Sequence, residues 1–316
     1  MPKALRILLP LAVLLAGTGA LVLALRLAEP MRAVELKTLD WRSRLLSDPS
    51  RADGRIVHVT IDQASIDHFE AEGMYWPWPR GIYEALLRFM KTAGAKAVVL
   101  DVLFTNPSTA EDDAVLARAA KDFGAVVAAM ETGAAPDPRR KQPPPARFAL
   151  EGAAEGPERR SVRLPIPGLL AAARFVADTK VEPDFDGVFR RVPVAVRLDG
   201  RTYPTLPAAA AMIATGKTLA ELAPRLVDGR MLVRFHGKSM TSDREKKTYA
   251  AYPFGDVVLA QQSLDEKRRP ALDPSLFKDK IVFVGMSAAG LLDNHPTPIS
   301  PSCPAPRSSP RPPTTS

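Results

Sequence analysis

At 316 residues the chain is long enough to bury a sizeable core in one large domain or two small ones. Its single cysteine, Cys303, excludes an intrachain disulfide and a thiolate metal cluster. The formal charge of +8 comes from short, scattered basic clusters such as Arg139-Arg140-Lys141 and Lys267-Arg268-Arg269. No stripe of arginines interleaved with aromatics accompanies them, so nucleic acid is not an expected partner.

Ile7 to Leu25 is an uncharged run of nineteen residues, the length a helix needs to cross the hydrocarbon core. Pro10 near its start and Gly17 and Gly19 inside it are compatible with a membrane helix. Arg26 spoils the small-residue pattern of a signal-peptide cleavage site, which favours an uncleaved anchor over residues 1–28. Lys3 and Arg6 before the span are matched by Arg26, Arg32 and Lys37 after it, so charge does not fix the orientation.

Residues 29–50 suit a juxtamembrane helix ending before Pro49. An α/β pattern follows. Arg55 to Asp62 is a β-branched strand, and WPWPR opens a helix whose Ile82, Leu86, Phe89 and Met90 recur at helical spacing. Ala97 to Phe104 is a second strand, apolar at nearly every position. Ser108 and Glu111 have capping-box spacing before a helix lined by Val115, Leu116, Ala119 and Phe123, and Ala125 to Met130 is a third strand. This alternation predicts a mixed, largely parallel sheet with helices on both faces.

Residues 132–163, rich in Pro, Gly and charge, read as a long exposed loop. A short helix is expected within Leu164 to Ala177, then a turn at Asp186-Gly187, a strand through Leu198 and a hairpin at Asp199-Gly200. Further on, a small-residue helix over Leu206 to Ala214 stops at Gly216. Met231 to Phe235 and Ile281 to Gly285 are two more strands, with a helix near Phe254 to Gln261 between them.

Six of these segments in register resemble the type-two CHASE domain, the cyclase- and histidine-kinase-associated sensory extracellular domain. They are IVHVTIDQAS, WPWPR, GAKAVVLDVLFTNPS with DDAVLARA, PDFDGVFRRVPV, YPTLPAAAA and KIVFVGMSAAGLLDNHPTPIS. The resemblance covers residues 29–300. It implies an extracytoplasmic sensor of a bacterial receptor, with its anchor in the inner membrane and a small-molecule or envelope ligand. Its other partners would be a second copy or a separate cytoplasmic output protein. In such receptors three membrane helices and an adenylate cyclase or a histidine or serine/threonine kinase domain usually follow. No such segments follow Ser300 here, so catalytic activity is not expected of this chain. The tail 301–316, built from Pro, Ser, Cys, Ala, Arg and Thr, is expected to be disordered. It reads as the scar of a truncated, frame-shifted gene, or else as a proline-rich linker.

Asp62 and Asp101 stand at or near the carboxyl ends of two strands read as adjacent, and Asp293 follows a third. In doubly wound sheets that edge binds ligands. With Ser287 after the last strand, Trp76 and Trp78 as pocket walls, and Arg80, they form the expected ligand site. The alternative for the acids is structural, as turn caps or partners of Arg80 and Arg190. Gly285 to Gly290 has the outer glycine spacing of a phosphate loop, but Leu291 and Leu292 replace its Lys and Ser/Thr. The four histidines lack metal-ligand spacing, and Ser65 and Ser287 lack a nucleophile elbow. No cofactor, metal or catalytic residue is therefore expected. The competing enzyme reading is a metal-dependent hydrolase or phosphatase built on Asp62, Asp101 and Asp293.

Overall fold

The computed structural model describes residues 11–22, 29–137, 142–152, 155–222, 226–237, 248–288 and 293–305. Two units divide at Ser47. In the first, residues 11–22 form a helix, α1, and Glu29–Leu45 form α2. The expected span Ile7 to Leu25 lies partly outside the described residues. Among those described, no helix is long and apolar enough to cross a membrane.

The second unit begins with β1 (Ile56–Ile61), where alternate residues Val57, Val59 and Ile61 are buried. Helices α3 (Gln63–Ala71) and α4 (Gly81–Thr92) lead to β2 (Ala97–Leu100), buried at every position. Then come α5 (Ala110–Phe123), β3 (Val126–Gly133), β4 (Glu158–Arg159), β5 (Ser161–Arg163), α6 (Pro167–Ala172) and β6 (Phe175–Asp178). The carboxyl half holds β7 (Arg191–Pro193), β8 (Ala195–Leu198), β9 (Arg201–Pro204), α7 (Leu206–Thr215), α8 (Leu219–Leu222), β10 (Leu226–Val227) and β11 (Arg230–Leu232). It closes with β12 (Ala250–Pro253), α9 (Phe254–Asp265), β13 (Ile281–Met286), β14 (Asp293–Thr297) and β15 (Ser300–Ala305).

The central sheet is a mixed one with a largely parallel run, β12-β1-β13-β2-β3-β6, and β5 pairs antiparallel with the far end of β3. One face packs α3, α4, α5 and α9 around Val59, Val98, Val126 and Val284; the other packs α7 on Ala97, Val99, Val127 and Ala177. Adjacent strand residues therefore serve opposite cores, which is why β2 and the start of β3 are apolar without alternation.

Several expectations are corrected. β1 and β2 are not neighbours, because β13 returns from the carboxyl half and lies between them. The second strand ends at Leu100 rather than Phe104; residues 101–106 leave the sheet as a loop. Thr109, not Ser108, caps α5, its hydroxyl accepting from the Asp112 N–H at 3.2 Å. The stretch 132–163 is not uniformly an exposed loop: Thr132, Phe148 and Val162 are buried, and β4 and β5 join sheets. The single strand expected through Leu198 breaks at Val194 into β7 and β8, which belong to different sheets. At the start of the tail, Ser300–Ala305 form β15, which pairs with β14; residues 306–316 lie outside the described residues.

Other readings hold. Leu198 pairs with Arg201 across Asp199 and Gly200, both at positive φ, as a two-residue hairpin turn requires. Gly216 at φ 72° ends α7.

Candidate functional site

At the carboxyl ends of β13, β2 and β3 lies a cleft of about 1040 Å³, at the upper end of the size of small-molecule sites. Its floor is the loop 101–107 that follows β2; its walls are the WPWPR segment on one side and residues 162–170 on the other. The loop exists because Asp101 ends the apolar run: a carboxylate cannot continue into a strand covered on both faces without a partner. Its N–H donates to the Val284 carbonyl at 2.8 Å, the last link to β13.

Trp78 is 5% exposed and packs edge-on against Phe69 and Trp76, with Phe254 behind it. Among the described residues its indole N–H has no hydrogen-bond partner. Tyr83 and Phe104 meet at right angles, 4.9 Å between centroids, and carry the aromatic wall onward.

Arg80, almost fully buried, is committed to structure. Its guanidinium pairs with Asp113 and donates to the Asn106 carbonyl. The Arg80 and Gly81 N–H groups donate to the two carboxylate oxygens of Asp112 at 2.7 and 2.8 Å. Asp112 thus caps the start of α4 from α5, where an anion is favoured.

Asp101 is different. Among the described residues its carboxylate has no ion pair or hydrogen bond, and burial pushes its pKa up to about 7. Glu131, in β3, also lines the cleft, 3.5 Å from Arg163 of β5.

Of the residues expected at the site, Asp101, Trp76, Trp78 and Arg80 come together in the cleft. Asp62 does not line it. It caps α3, accepting from the Ser65 N–H at 2.9 Å and the Ser65 hydroxyl at 2.6 Å, and Ser65 Oγ in turn accepts from the Gly255 N–H at 3.0 Å. With β13 between β1 and β2, the ends of those strands stand two inter-strand spacings apart, roughly 10 Å, which separates the two aspartates. Ser287 follows β13 outside the cleft lining, its N–H donating to the Ile61 carbonyl at 2.9 Å. Asp293 opens β14, and its side chain lies outside the described residues, as do residues 289–292. Arg190 pairs with Asp184 and Asp186 rather than with Asp62 or Asp101.

Sequence reasoning passed over Glu131, although it ends the apolar run Val126–Met130 within β3, and Arg163, which lay within the presumed loop. Among the described residues no group of three or more His, Cys, Asp or Glu could hold a metal ion. His58, half-buried in β1, stacks on Phe283, and desolvation lowers its pKa.

The largely parallel α/β sheet thus carries an aromatic-walled cleft at its carboxyl edge, the edge at which open α/β sheets place ligand sites. The family model described as the CHASE2 domain matches residues 17–311, and the chain belongs to that family. Its members are sensory extracellular domains of signalling receptors, not catalytic domains. The match runs past Ser300, where the sequence resemblance ended. No curated protein matches the chain, and no solved structure does.

Proposed function

We propose that this chain is the extracytoplasmic sensor of a bacterial transmembrane receptor, held in the inner membrane by one helix within residues 7–25, with the cleft over β2 and β3 as its ligand site. The observation that carries the ligand site is Asp101: a half-buried carboxylate with no ion pair or hydrogen bond among the described residues, set in an aromatic-walled cleft with its pKa raised to about 7, is available to a ligand. Family membership supports the sensory role, and the uncharged run at residues 7–25 supports the anchor.

The receptor's output would be an adenylate cyclase or a kinase, reached through the membrane. Ligand in the cleft would contact the loop after β2 and the end of β13 at Met286. β13 precedes the β14–β15 hairpin, so this route leads toward the carboxyl end of the family match.

A small-molecule fragment screen against the intact chain, read by protein thermal shift and repeated with Leu164→Trp to fill the cleft, tests the ligand site. Binders lost in the filled variant support it; binders retained there, or no binders, refute it. Protease protection in spheroplasts tests the orientation, which is wrong if Trp76 to Arg190 stays protected while a periplasmic control is digested.

A further inference from the structure

We infer that the cleft is built for a small organic ammonium, a primary amine on an aromatic or apolar body, with Asp101 as its counter-ion. The inference rests on the cleft being a ligand site and adds the chemical class of its occupant.

Charge comes first. Among the described residues, the ionisable groups that line the cleft or hold its walls are Asp101 after β2, Glu131 in β3, Arg163 in β5, Arg80 and Tyr83 at the start of α4, and Asp112 and Asp113 in α5. Four are carboxyl groups and two are guanidiniums; burial holds the Tyr83 phenol neutral. Arg80 is consumed by Asp113 and the Asn106 carbonyl, and Arg163 stands beside Glu131. No cation of the described chain reaches Asp101. An anionic ligand would meet this surplus of carboxylates with no free guanidinium to receive it.

The walls come second. Trp76 is half-buried in the cleft wall and Trp78, Tyr83 and Phe104 are nearly fully buried around it, an aromatic lining that suits an apolar body and an organic cation alike. A hard metal ion finds neither enough oxygen ligands nor a polar cage there.

Protonation follows from the same geometry. In the empty cleft Asp101 has a pKa near 7; an ammonium beside it would pull that value down. Binding then requires the ionised acid and weakens as pH falls through 7. One coupled proton gives roughly a thirtyfold loss of affinity between pH 8 and pH 5.5.

The test uses tyramine against the intact chain by calorimetry, beside 4-ethylphenol as its uncharged analogue and 4-hydroxyphenylacetate as its anionic one. Tyramine is expected to bind at least tenfold more tightly than either analogue at pH 8, to weaken about thirtyfold at pH 5.5, and to be lost with Asp101→Asn. Circular dichroism of that variant shows whether the fold is intact, and Glu131→Gln, which keeps Asp101, should weaken tyramine less. Equal or tighter binding of the neutral or anionic analogue overturns the ammonium inference and leaves the cleft as a ligand site. Binding of none of the three also overturns it; the ligand site itself falls only if the fragment screen finds no cleft binder.

Discussion

Arg190 and Asp186 face each other through two near-parallel hydrogen bonds, 2.7 Å from Nη1 to Oδ1 and 2.8 Å from Nη2 to Oδ2, with the guanidinium 1% exposed. Asp184 joins them, 3.3 Å from Arg190 and 2.9 Å from Arg191. The network closes the turn at Gly187, whose φ of 81° favours glycine, and the next residue but one, Phe189, donates its N–H to the Pro296 carbonyl of β14. The segment PDFDGVFRR is thus a buried ion-pair clasp. Arg190→Leu removes its charge-assisted hydrogen bonds to Asp184 and Asp186 while Asp184 keeps Arg191, so it should destabilise the chain by about 2–3 kcal/mol in urea denaturation. A loss below 1 kcal/mol would mean the clasp is replaceable.

Asp62 caps a helix, and its loss should behave accordingly. Asp62→Ala should cost about 1 kcal/mol, the usual value of an N-cap, and leave cleft binding unchanged within twofold. Loss of ligand affinity in this variant would restore Asp62 to the site.

Asp178 gives a pH dependence with a definite sign. It is 1% exposed; its Oδ1 accepts from the Thr132 N–H at 3.1 Å, and burial is the largest influence on its pKa, raised to about 6. A carboxyl whose folded pKa exceeds its unfolded value of 3.8 contributes fully below that value, and its contribution is lost as pH rises through about 6. At pH 8 this amounts to roughly 3 kcal/mol of lost stability, about 2 of it falling between pH 4.5 and 8. Asp178→Asn removes that component, so its stability relative to the parent chain should rise by about 2 kcal/mol over that range. A pH-independent difference would contradict the buried-acid assignment.

Periodicity revealed the elements whose burial is periodic. In α4, Ile82, Leu86, Phe89 and Met90 recur because that helix lies on the sheet along one stripe, and all four are buried. The hairpin at Asp199-Gly200 and the stop at Gly216 were legible because backbone at positive φ selects its residues locally. The order of strands was not legible. Nothing near Ile281–Met286 says that this strand inserts between β1 and β2, because that choice is made by long-range pairing. The same ignorance made Asp62 look like a neighbour of Asp101. Asp101 was readable because it ends the apolar run of β2, and Trp76, Trp78 and Arg80 because they open α4; Glu131, inside β3, was missed, and only the fold shows that it lines the same cleft with Arg163 of β5.

The cleft can be watched directly. The chain has three tryptophans, and Trp41 is the one outside the cleft. In a Trp41→Phe chain, emission reports on Trp76 and Trp78 alone. Titrating a hit from the fragment screen into this chain should change that emission saturably. The change should vanish with Leu164→Phe, which fills the cleft without adding a tryptophan, and it should survive Asp62→Ala. A saturable binder that leaves the emission of Trp76 and Trp78 unchanged, or that binds Leu164→Phe as well as the parent, would contradict a ligand site at the carboxyl edge of β2 and β3.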